Sequence, residues 1–271
     1  MTISKIKAVY FSATGTTQKV VRQVVATLSN ELNVPSEELD FTLLPNRQEP
    51  MVFETTDFVV FGVPVYAGRV PNVLVKYLNT MQGNGATALS IAVYGNRNFD
   101  DALMEATDIL ENSGMKVIAG SAFVGEHSFS TTLAAGRPDA DDLLKAAEFA
   151  QLIAEKIKRN DISKPQIKGV PYPYRQHYQP KDAQQNSFDI RKVKPLTSEA
   201  CIKCGLCVKV CPMGSINPEN VAEVTGICIK CGACVKKCPT RAKHFDDPNY
   251  NYHKTELEKN YQRRAVVEWF V

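Results

Sequence analysis

Cysteine is absent from the first 200 residues of this 271-residue chain, and all eight cysteines follow between positions 201 and 238. This uneven distribution argues against a disulfide framework spread over a secreted protein. Long apolar runs are also absent, since the candidates FVVFGVPVYAG and ATALSIAVYG are short and interrupted by Gly or Pro. A net charge of +3, scattered along the chain, does not favour nucleic acid as a partner. The opening MTISKIKAVYF passes directly into a strand pattern, so we expect a cytoplasmic protein without a membrane span.

The cysteines lie in two copies of one dodecamer, CIKCGLCVKVCP at 201–212 and CIKCGACVKKCP at 228–239, identical at ten of twelve positions. Zinc sites usually take separated C-x2-C pairs, and this is the less favoured alternative. Each copy instead shows the C-x2-C-x2-C-x3-C-P spacing of bacterial ferredoxins, in which the fourth cysteine ligates the other cluster. The spacing therefore predicts two [4Fe–4S] clusters. The predicted ligands are Cys201, Cys204, Cys207 and Cys238 for the first and Cys228, Cys231, Cys234 and Cys211 for the second.

Basic residues outnumber acidic ones around these cysteines. Between Glu199 and Asp246 there are seven Lys or Arg against four Asp or Glu. The cations either offset the negative charge of thiolate-bound clusters, which would raise their reduction potentials, or form an ordinary solvated face. The sequence leaves these two interpretations open.

Strand and helix patterns alternate through the first 160 residues. The segments KIKAVYF, ELDFTLL, DFVVFGV, ALSIAVYG and KVIAGSAFV are typical of buried strands, and amphipathic helices fit between them. Helices are predicted from Thr16 and at about 71–81, 99–113 and 139–159. Five strands alternating with helices predict an α/β fold with a doubly wound, five-stranded parallel sheet. Ligands of such sheets bind beyond the carboxyl ends of the strands.

A hydroxyl-rich loop, FSATGTTQKV at 11–20, stands at the end of the first strand. It lacks both the Walker lysine and the G-x-G-x-x-G fingerprint of dinucleotide sites. Backbone N–H groups at the start of the following helix suit a phosphate, and a loop without a cation suits a terminal phosphomonoester such as that of FMN. The alternative is an ordinary strand-to-helix turn. The candidate phosphate ligands are Ser12, Thr14, Gly15, Thr16 and Thr17.

This loop resembles the flavodoxin phosphate loop [ST]-x-T-G-x-T, with Thr16 in place of the usual asparagine, and the resemblance covers about residues 3–160. It implies an FMN site whose flavin-flanking loops are VPVYAGRVP at 63–71 and YGNRNFDD at 94–101. In the first loop a Gly68 peptide would be able to rotate on reduction. Implied contacts to the N5 edge are Pro64, Tyr66, Ala67 and Gly68. Implied contacts to the pyrimidine side are Gly95, Asn96, Asn98 and Phe99.

Three charged or titratable residues beside these loops have two interpretations each. Arg69 and Arg97 would ease the second flavin reduction if they lie near N1, or else they are surface charges. His127, in GEHSFSTTLAAGRPD at 125–139, would gate the flavin or donate a proton to N5, or else it anchors its own loop.

The remaining sequence joins and follows two domains. We expect a flavodoxin-like domain at 1–160, a linker at 161–195 packed across both domains, a small α+β 2[4Fe–4S] ferredoxin-like domain at 196–247 and a helical tail at 248–271. The linker is rich in Pro, Tyr and Gln, and its Tyr172, Tyr174 and Tyr178 have apolar surface to bury. In the tail, Trp269 and Phe270 are expected to dock on one domain.

The whole arrangement resembles the flavodoxin–bacterial ferredoxin fusions of anaerobes. It implies electron transfer between two [4Fe–4S] clusters and FMN, coupling one-electron and two-electron redox partners in anaerobic metabolism. The partners would be redox proteins, namely ferredoxin-dependent donors or acceptors. No acid–base pair or nucleophile constellation is evident, so an electron carrier is favoured over a substrate-specific oxidoreductase. The alternatives are a flavin-dependent reductase of a quinone, flavin, oxygen or metal ion, and a redox or oxygen sensor.

Overall fold

The computed structural model describes residues 2–271. Five parallel strands alternate with helices in its first part, as the sequence pattern predicts. The strands are β1 (Lys5–Tyr10), β2 (Ser36–Asp40), β3 (Asp57–Pro64), β4 (Thr87–Tyr94) and β5 (Lys116–Val124). The helices are α1 (Thr16–Leu32), α2 (Asn72–Leu78), α3 (Ala102–Asn112) and α4 (Ala140–Lys158). Strand β2 ends before the predicted ELDFTLL segment does, because Leu44–Arg47 forms a 3-10 turn with Pro45 in its first turn.

The parallel strands follow the order β2-β1-β3-β4-β5, which is the strand order of the flavodoxin-like doubly wound fold. Both faces of the sheet are covered, so strands such as β3 are buried along nearly their whole length. Helices α1 and α4 pack on one face, and α2 and α3 pack on the other. The order reverses between β1 and β3, and the carboxyl ends of these strands carry the loops that begin at Phe11 and Val65.

A sixth strand, β8 (Glu268–Phe270), corrects the prediction of a five-stranded sheet with a wholly helical tail. It pairs antiparallel with β5, where Ser121 lies opposite Trp269. Strand β5 would otherwise expose unpaired N–H and C=O groups at the sheet edge, and β8 satisfies them. The Trp269 ring lies 6.0 Å from the ring of Phe149 and packs against the core. The preceding part of the tail forms α7 (Pro248–Asn260).

The cysteine-rich segment contains two short helices, α5 (Leu206–Lys209) and α6 (Ala233–Lys236), beside a two-stranded sheet of β6 (Leu196–Thr197) and β7 (Lys243–His244). Its second dodecamer contributes Cys231 and Ala233 to the same apolar core as β1, β3 and α2. The two parts of the chain therefore share buried surface.

The segment from 161 to 195 is extended and contacts both parts. The carboxylate of Asp101 accepts hydrogen bonds from the backbone N–H groups of Val170 (2.9 Å) and Arg175 (2.8 Å). Further along, the Arg191 carbonyl accepts a hydrogen bond from Lys230 Nζ at 2.8 Å. Tyr172, which the sequence suggested would bury apolar surface, is 80% exposed. No helix within residues 2–271 is both long and apolar enough to cross a membrane.

Candidate functional site

The eight cysteines gather into two sets of four around two small cavities of about 20 Å³ each. In both dodecamers a glycine in the left-handed region, Gly205 (φ +71°) or Gly232 (φ +75°), precedes a short helix and turns the chain around its cavity. The first cysteine set is Cys201, Cys204, Cys207 and Cys238. The second cysteine set is Cys211, Cys228, Cys231 and Cys234.

Each set combines three cysteines of one dodecamer with the last cysteine of the other, which is the exchange that the spacing predicts. Backbone N–H groups donate to sulfur in both sets, from Lys203 to Cys201 Sγ and from Ser215 to Cys211 Sγ, each at 3.4 Å. Four thiolates with N–H···S hydrogen bonds are the donor chemistry of a [4Fe–4S] cluster. Within residues 2–271, no three His, Cys, Asp or Glu side chains are placed to hold a single metal ion.

The predicted phosphate loop connects β1 to α1. Gly15 adopts φ +93° directly before the helix, and the hydroxyl of Ser12 accepts a hydrogen bond from the Gln18 N–H at 3.0 Å. Thr17 is 1% exposed, and its Oγ1 has no hydrogen-bond partner among the described residues. A buried hydroxyl without a partner costs about 1–3 kcal/mol, and a phosphate oxygen would satisfy it. The loop therefore fits the phosphate of FMN.

A small cavity of about 50 Å³ joins this loop to the second cysteine set. Its walls include Cys231 and His127 in addition to residues of all three predicted flavin loops. The predicted contacts that line it are Ser12, Thr14, Thr16, Thr17, Pro64, Tyr66 and Gly95. Burial raises the pKa of the Tyr66 hydroxyl well above its ordinary value, and negative charge at Cys231 and Cys228 raises it further. Tyr66, which belongs to the first flavin-flanking loop, therefore lies close to the second cysteine set.

A second, large cavity of about 880 Å³ adjoins the small one through residues lining both, such as Tyr66, Gly95 and His127. Its volume falls in the range of about 300–1,000 Å³ that is typical of small-molecule sites. Cys228 of the second cysteine set also lines it. The predicted contacts in its wall are Tyr66, Ala67, Gly68, Gly95 and Asn98.

The turn that carries Ala67 and Gly68 is held at both carbonyls. Ala67 O accepts a hydrogen bond from the Tyr178 N–H at 2.8 Å, and Gly68 O accepts one from the Asp101 N–H at 3.1 Å. A Cβ on Gly68 would lie 2.3 Å from Asp100 Oδ2. Rotation of the peptide, which the sequence analysis expected of Gly68, would have to break the bond to Asp101.

Two predicted flavin contacts have their side chains elsewhere. Asn96 is 2% exposed, and its side chain donates to the carbonyls of Tyr261 (2.7 Å) and Arg263 (2.6 Å) and accepts from the Ala265 N–H at 3.2 Å. Its hydrogen-bonding capacity is taken up by the tail. Phe99 is 2% exposed and packs against the Tyr94 ring, with centroids 5.7 Å apart, so it belongs to the core. Neither residue lines the small or the large cavity.

The two arginines differ in their surroundings. Arg69 forms a two-bond ion pair with Glu105, at 2.7 and 2.6 Å, in a largely buried position. Arg97 lines the large cavity, pairs with Asp100 and lies 4.4 Å above the Tyr178 ring. Of these two arginines, only Arg97 therefore presents its guanidinium to the large cavity, and the Asp100 carboxylate partly offsets the charge of Arg97.

Two histidines border the large cavity, the half-buried His127 and the buried His253. His127 Nδ1 accepts a hydrogen bond from the Phe129 N–H at 3.1 Å, so this side chain anchors its own loop while its ring faces the cavity. Burial lowers the pKa of His127 to about 4, and burial likewise lowers the pKa of His253 to about 4. Both rings are therefore neutral near pH 7.

Residues that the sequence analysis did not assign to the site close the large cavity. They come from the linker and from α7, and their aromatic rings are in contact: Tyr178 stacks on His253 at 5.8 Å, and Phe188 meets the same histidine edge-on at 6.5 Å. The linker and tail members of this wall are His177, Tyr178, Gln179, Pro180, Ser187, Phe188, Asp189, Ile190, Arg191, Lys194, His253 and Leu257. The unusual content of rings in the linker was the signal available in the sequence.

Residues 200–243 match the protein family described as 4Fe-4S dicluster domain. No curated protein matches the chain significantly. Among solved structures, a flavodoxin from the domain Archaea is 17% identical, with 57% of this chain and 99% of that chain covered and a TM-score of 0.39. A flavodoxin of Streptococcus pneumoniae TIGR4 is 18% identical over 56% of this chain and 99% of its own, with a TM-score of 0.38. The rubredoxin oxygen:oxidoreductase of Desulfovibrio gigas is 13% identical over 58% of this chain and 37% of its own, with a TM-score of 0.40.

The dicluster match and the strand order of the sheet bear on the predicted cofactors. Eight cysteines in a dicluster domain fit two [4Fe–4S] clusters, and flavodoxin folds bind FMN. The dicluster match supports an iron–sulfur role for residues 200–243.

Proposed function

We propose that this protein transfers electrons between external redox proteins and a bound FMN through two [4Fe–4S] clusters, in the order first cysteine set, second cysteine set, flavin. The observation that carries the proposal is the position of Cys231. This ligand candidate lines the same small cavity as the phosphate loop and Tyr66, so the second cysteine set borders the flavin loops directly.

FMN, when bound, supplies chemistry that accepts electrons singly or in pairs, whereas each cluster exchanges one. The protein's own residues orient and enclose the site. Thr17 and the N–H groups at the start of α1 would hold the phosphate, and the turn at Ala67 and Gly68 would support the ring edge. His127 and His253 stay neutral near pH 7, so they add no charge beside the ring.

The dicluster segment is held against the flavin loops by specific contacts. Lys236 of α6 forms an ion pair with Glu126 and donates to the Ser130 carbonyl at 2.7 Å. A Cβ on Gly232 would lie 2.6 Å from the Ser128 carbonyl oxygen, so the two backbones are close-packed here. These contacts support a fixed separation between the second cysteine set and the flavin site.

A second candidate function is reduction of a small acceptor at the flavin. The large cavity favours it, because about 880 Å³ of space bordered by Tyr178, Phe188 and His253 continues from the flavin loops. Aromatic walls of this kind suit a planar acceptor such as a quinone or a second flavin.

Paired cysteine variants test the electron route, because Cys204 and Cys231 occupy equivalent positions in the two dodecamers. The anaerobically isolated protein is reduced with dithionite, and flavin absorbance is followed by rapid mixing. Dithionite is small and reduces either cluster directly, so this assay isolates the last step of the route. We expect rapid flavin reduction in the parent protein and in Cys204→Ala, and a slow reaction in Cys231→Ala. Iron and FMN content identify variants that have lost more than one cofactor.

Three outcomes would contradict the electron-carrier proposal. They are an isolated protein without FMN, equal reduction rates in the two variants, or reoxidation by a small quinone with a far higher kcat/KM than by any redox protein. The last result would establish the reductase instead.

A further inference from the structure

The duplicated dodecamer provides a comparison of the same residues in two environments. Cys204, Lys203 and Lys209 of the first copy correspond to Cys231, Lys230 and Lys236 of the second. Any difference in their contacts therefore reflects the position of each copy and not its composition.

Two lysines of the second copy, Lys230 and Lys236, are engaged inside the protein. Lys230 is 5% exposed, and its Nζ donates to the carbonyls of Arg191 (2.8 Å) and Cys228 (2.7 Å). Lys236 pairs with Glu126 across the junction with the flavin loops. Neither charge is available to an external partner.

The first copy faces solvent. Cys204 is exposed, whereas Cys231 is buried, and Ile202 is 65% exposed, whereas Ile229 packs against the core. A Cβ on Gly205 would meet no atom within 4 Å, in contrast to Gly232. The first cysteine set thus lies beneath an uncovered surface that includes the exposed apolar side chain of Ile202.

This surface is positively charged. Its cations are exposed, lie within three residues of a cysteine of the first set, and form no ion pair with any of residues 2–271. Between residues 196 and 212 the only carboxylate is Glu199, and none occurs between 228 and 245. The four cations are Lys203, Lys209, Lys237 and Arg241.

We propose that this face, which we call the basic face (Ile202, Lys203, Lys209, Lys237 and Arg241), is the docking surface for an acidic one-electron carrier protein. The inference rests on the proposed function, since it names the partner at the outer end of the same electron route. Each encounter would move one electron, so that oxidation of the partner's centre balances reduction of the cluster that the first cysteine set would hold, or the reverse. Complementary charge between two docking surfaces accelerates such encounters and selects the partner.

Charge reversal at the basic face tests the proposal by binding, without electron transfer. The probe is an oxidised acidic plant-type [2Fe–2S] ferredoxin, titrated calorimetrically into the oxidised holoprotein at low and moderate salt. We expect Lys209→Glu and Lys237→Glu each to raise Kd about 3- to 10-fold and to weaken its salt dependence. The matched control is Lys116→Glu, which makes the same change in net charge at the amino end of β5, the end of the sheet opposite the flavin loops, and should leave Kd unchanged.

Several results would overturn this assignment. They are equal Kd values for the Lys209 and Lys116 variants, no measurable binding of the acidic probe, or tighter binding of a basic cytochrome c used as the opposite-charge probe. Dithionite-driven flavin reduction, measured on the same samples, reports the internal route separately. A lost internal route with intact binding refutes the proposed function alone, and intact internal transfer with charge-independent binding refutes the docking surface alone.

Discussion

Alanine at Gly232 should cost stability and slow internal electron transfer, whereas alanine at Gly205 should cost stability alone. The two glycines occupy equivalent positions with φ of +75° and +71°, so both substitutions place an L-residue in the left-handed region. That strain costs about 1–2 kcal/mol at either site. At Gly205 the added Cβ would meet no atom within 4 Å.

At Gly232 the added Cβ would lie 2.6 Å from the Ser128 carbonyl oxygen, a backbone atom that cannot rotate away. The α6 segment would have to shift, and overpacking of this kind adds about 1–3 kcal/mol. We therefore expect a total loss of about 2–5 kcal/mol for Gly232→Ala and about 1–2 kcal/mol for Gly205→Ala. The shift would separate the second cysteine set from the flavin loops.

The assay combines anaerobic denaturant titration, followed by cluster absorbance, with rapid-mixing measurement of flavin reduction after dithionite addition. The two variants should differ in both readouts, and only Gly232→Ala should react slowly. Equal midpoints and equal rates would refute the inference that close backbone packing fixes the distance between the second cysteine set and the flavin site.

Three further perturbations address the phosphate loop, the tail and His127. Thr17→Val should weaken FMN binding about tenfold, as judged by flavin fluorescence quenching, without destabilising the cofactor-free protein, because this hydroxyl has no partner within residues 2–271. Asn96→Ala removes three hydrogen bonds to the tail, so it should lower the free energy of unfolding by about 2–3 kcal/mol and speed proteolysis of the tail. The control Asn98→Ala, at an exposed position, should change neither the free energy of unfolding nor the rate of proteolysis. The pKa of His127 falls from 6.5 to about 4 on folding, so the unfolded chain takes up this proton first as pH drops. The contribution of His127 to the free energy of unfolding is therefore fully present above pH 6.5, and that free energy should fall by about 3 kcal/mol as pH approaches 4. His127→Gln should flatten this part of the curve of unfolding free energy against pH.

The sequence pattern alone could not assign roles to the basic residues around the cysteines. The sequence left open whether these cations offset cluster charge or form a solvated face. Identical lysines took different roles, because Lys230 is enclosed by carbonyls and Lys203 is exposed. Burial is set by which copy packs on the flavodoxin-like sheet, and the dodecamers are too alike for composition to distinguish them.

The flavin loops show a similar limit. Their position at the carboxyl ends of the strands could be predicted, since strand order follows from alternation of apolar segments. The role of Asn96 could not, because its partners Tyr261, Arg263 and Ala265 lie more than 160 residues away along the chain. The wall formed by Tyr178 and His253 was missed for the same reason, since neither its linker nor its tail half has a periodic pattern.

Local chemistry was therefore readable from the sequence by itself. Cysteine spacing predicted that each cysteine set takes its fourth member from the other dodecamer, and apolar periodicity predicted a parallel α/β sheet with a hydroxyl-rich loop after β1. Both predictions depend on residues close together in the chain. Only the tertiary structure decided that the second cysteine set turns inward to the flavin loops and the first outward, and that β8 completes the sheet edge. The orientation of the cysteine sets and the pairing of β8 depend on contacts between segments far apart in the chain. One such contact is the close packing of the Gly232 backbone against the Ser128 carbonyl, which only a glycine at 232 allows.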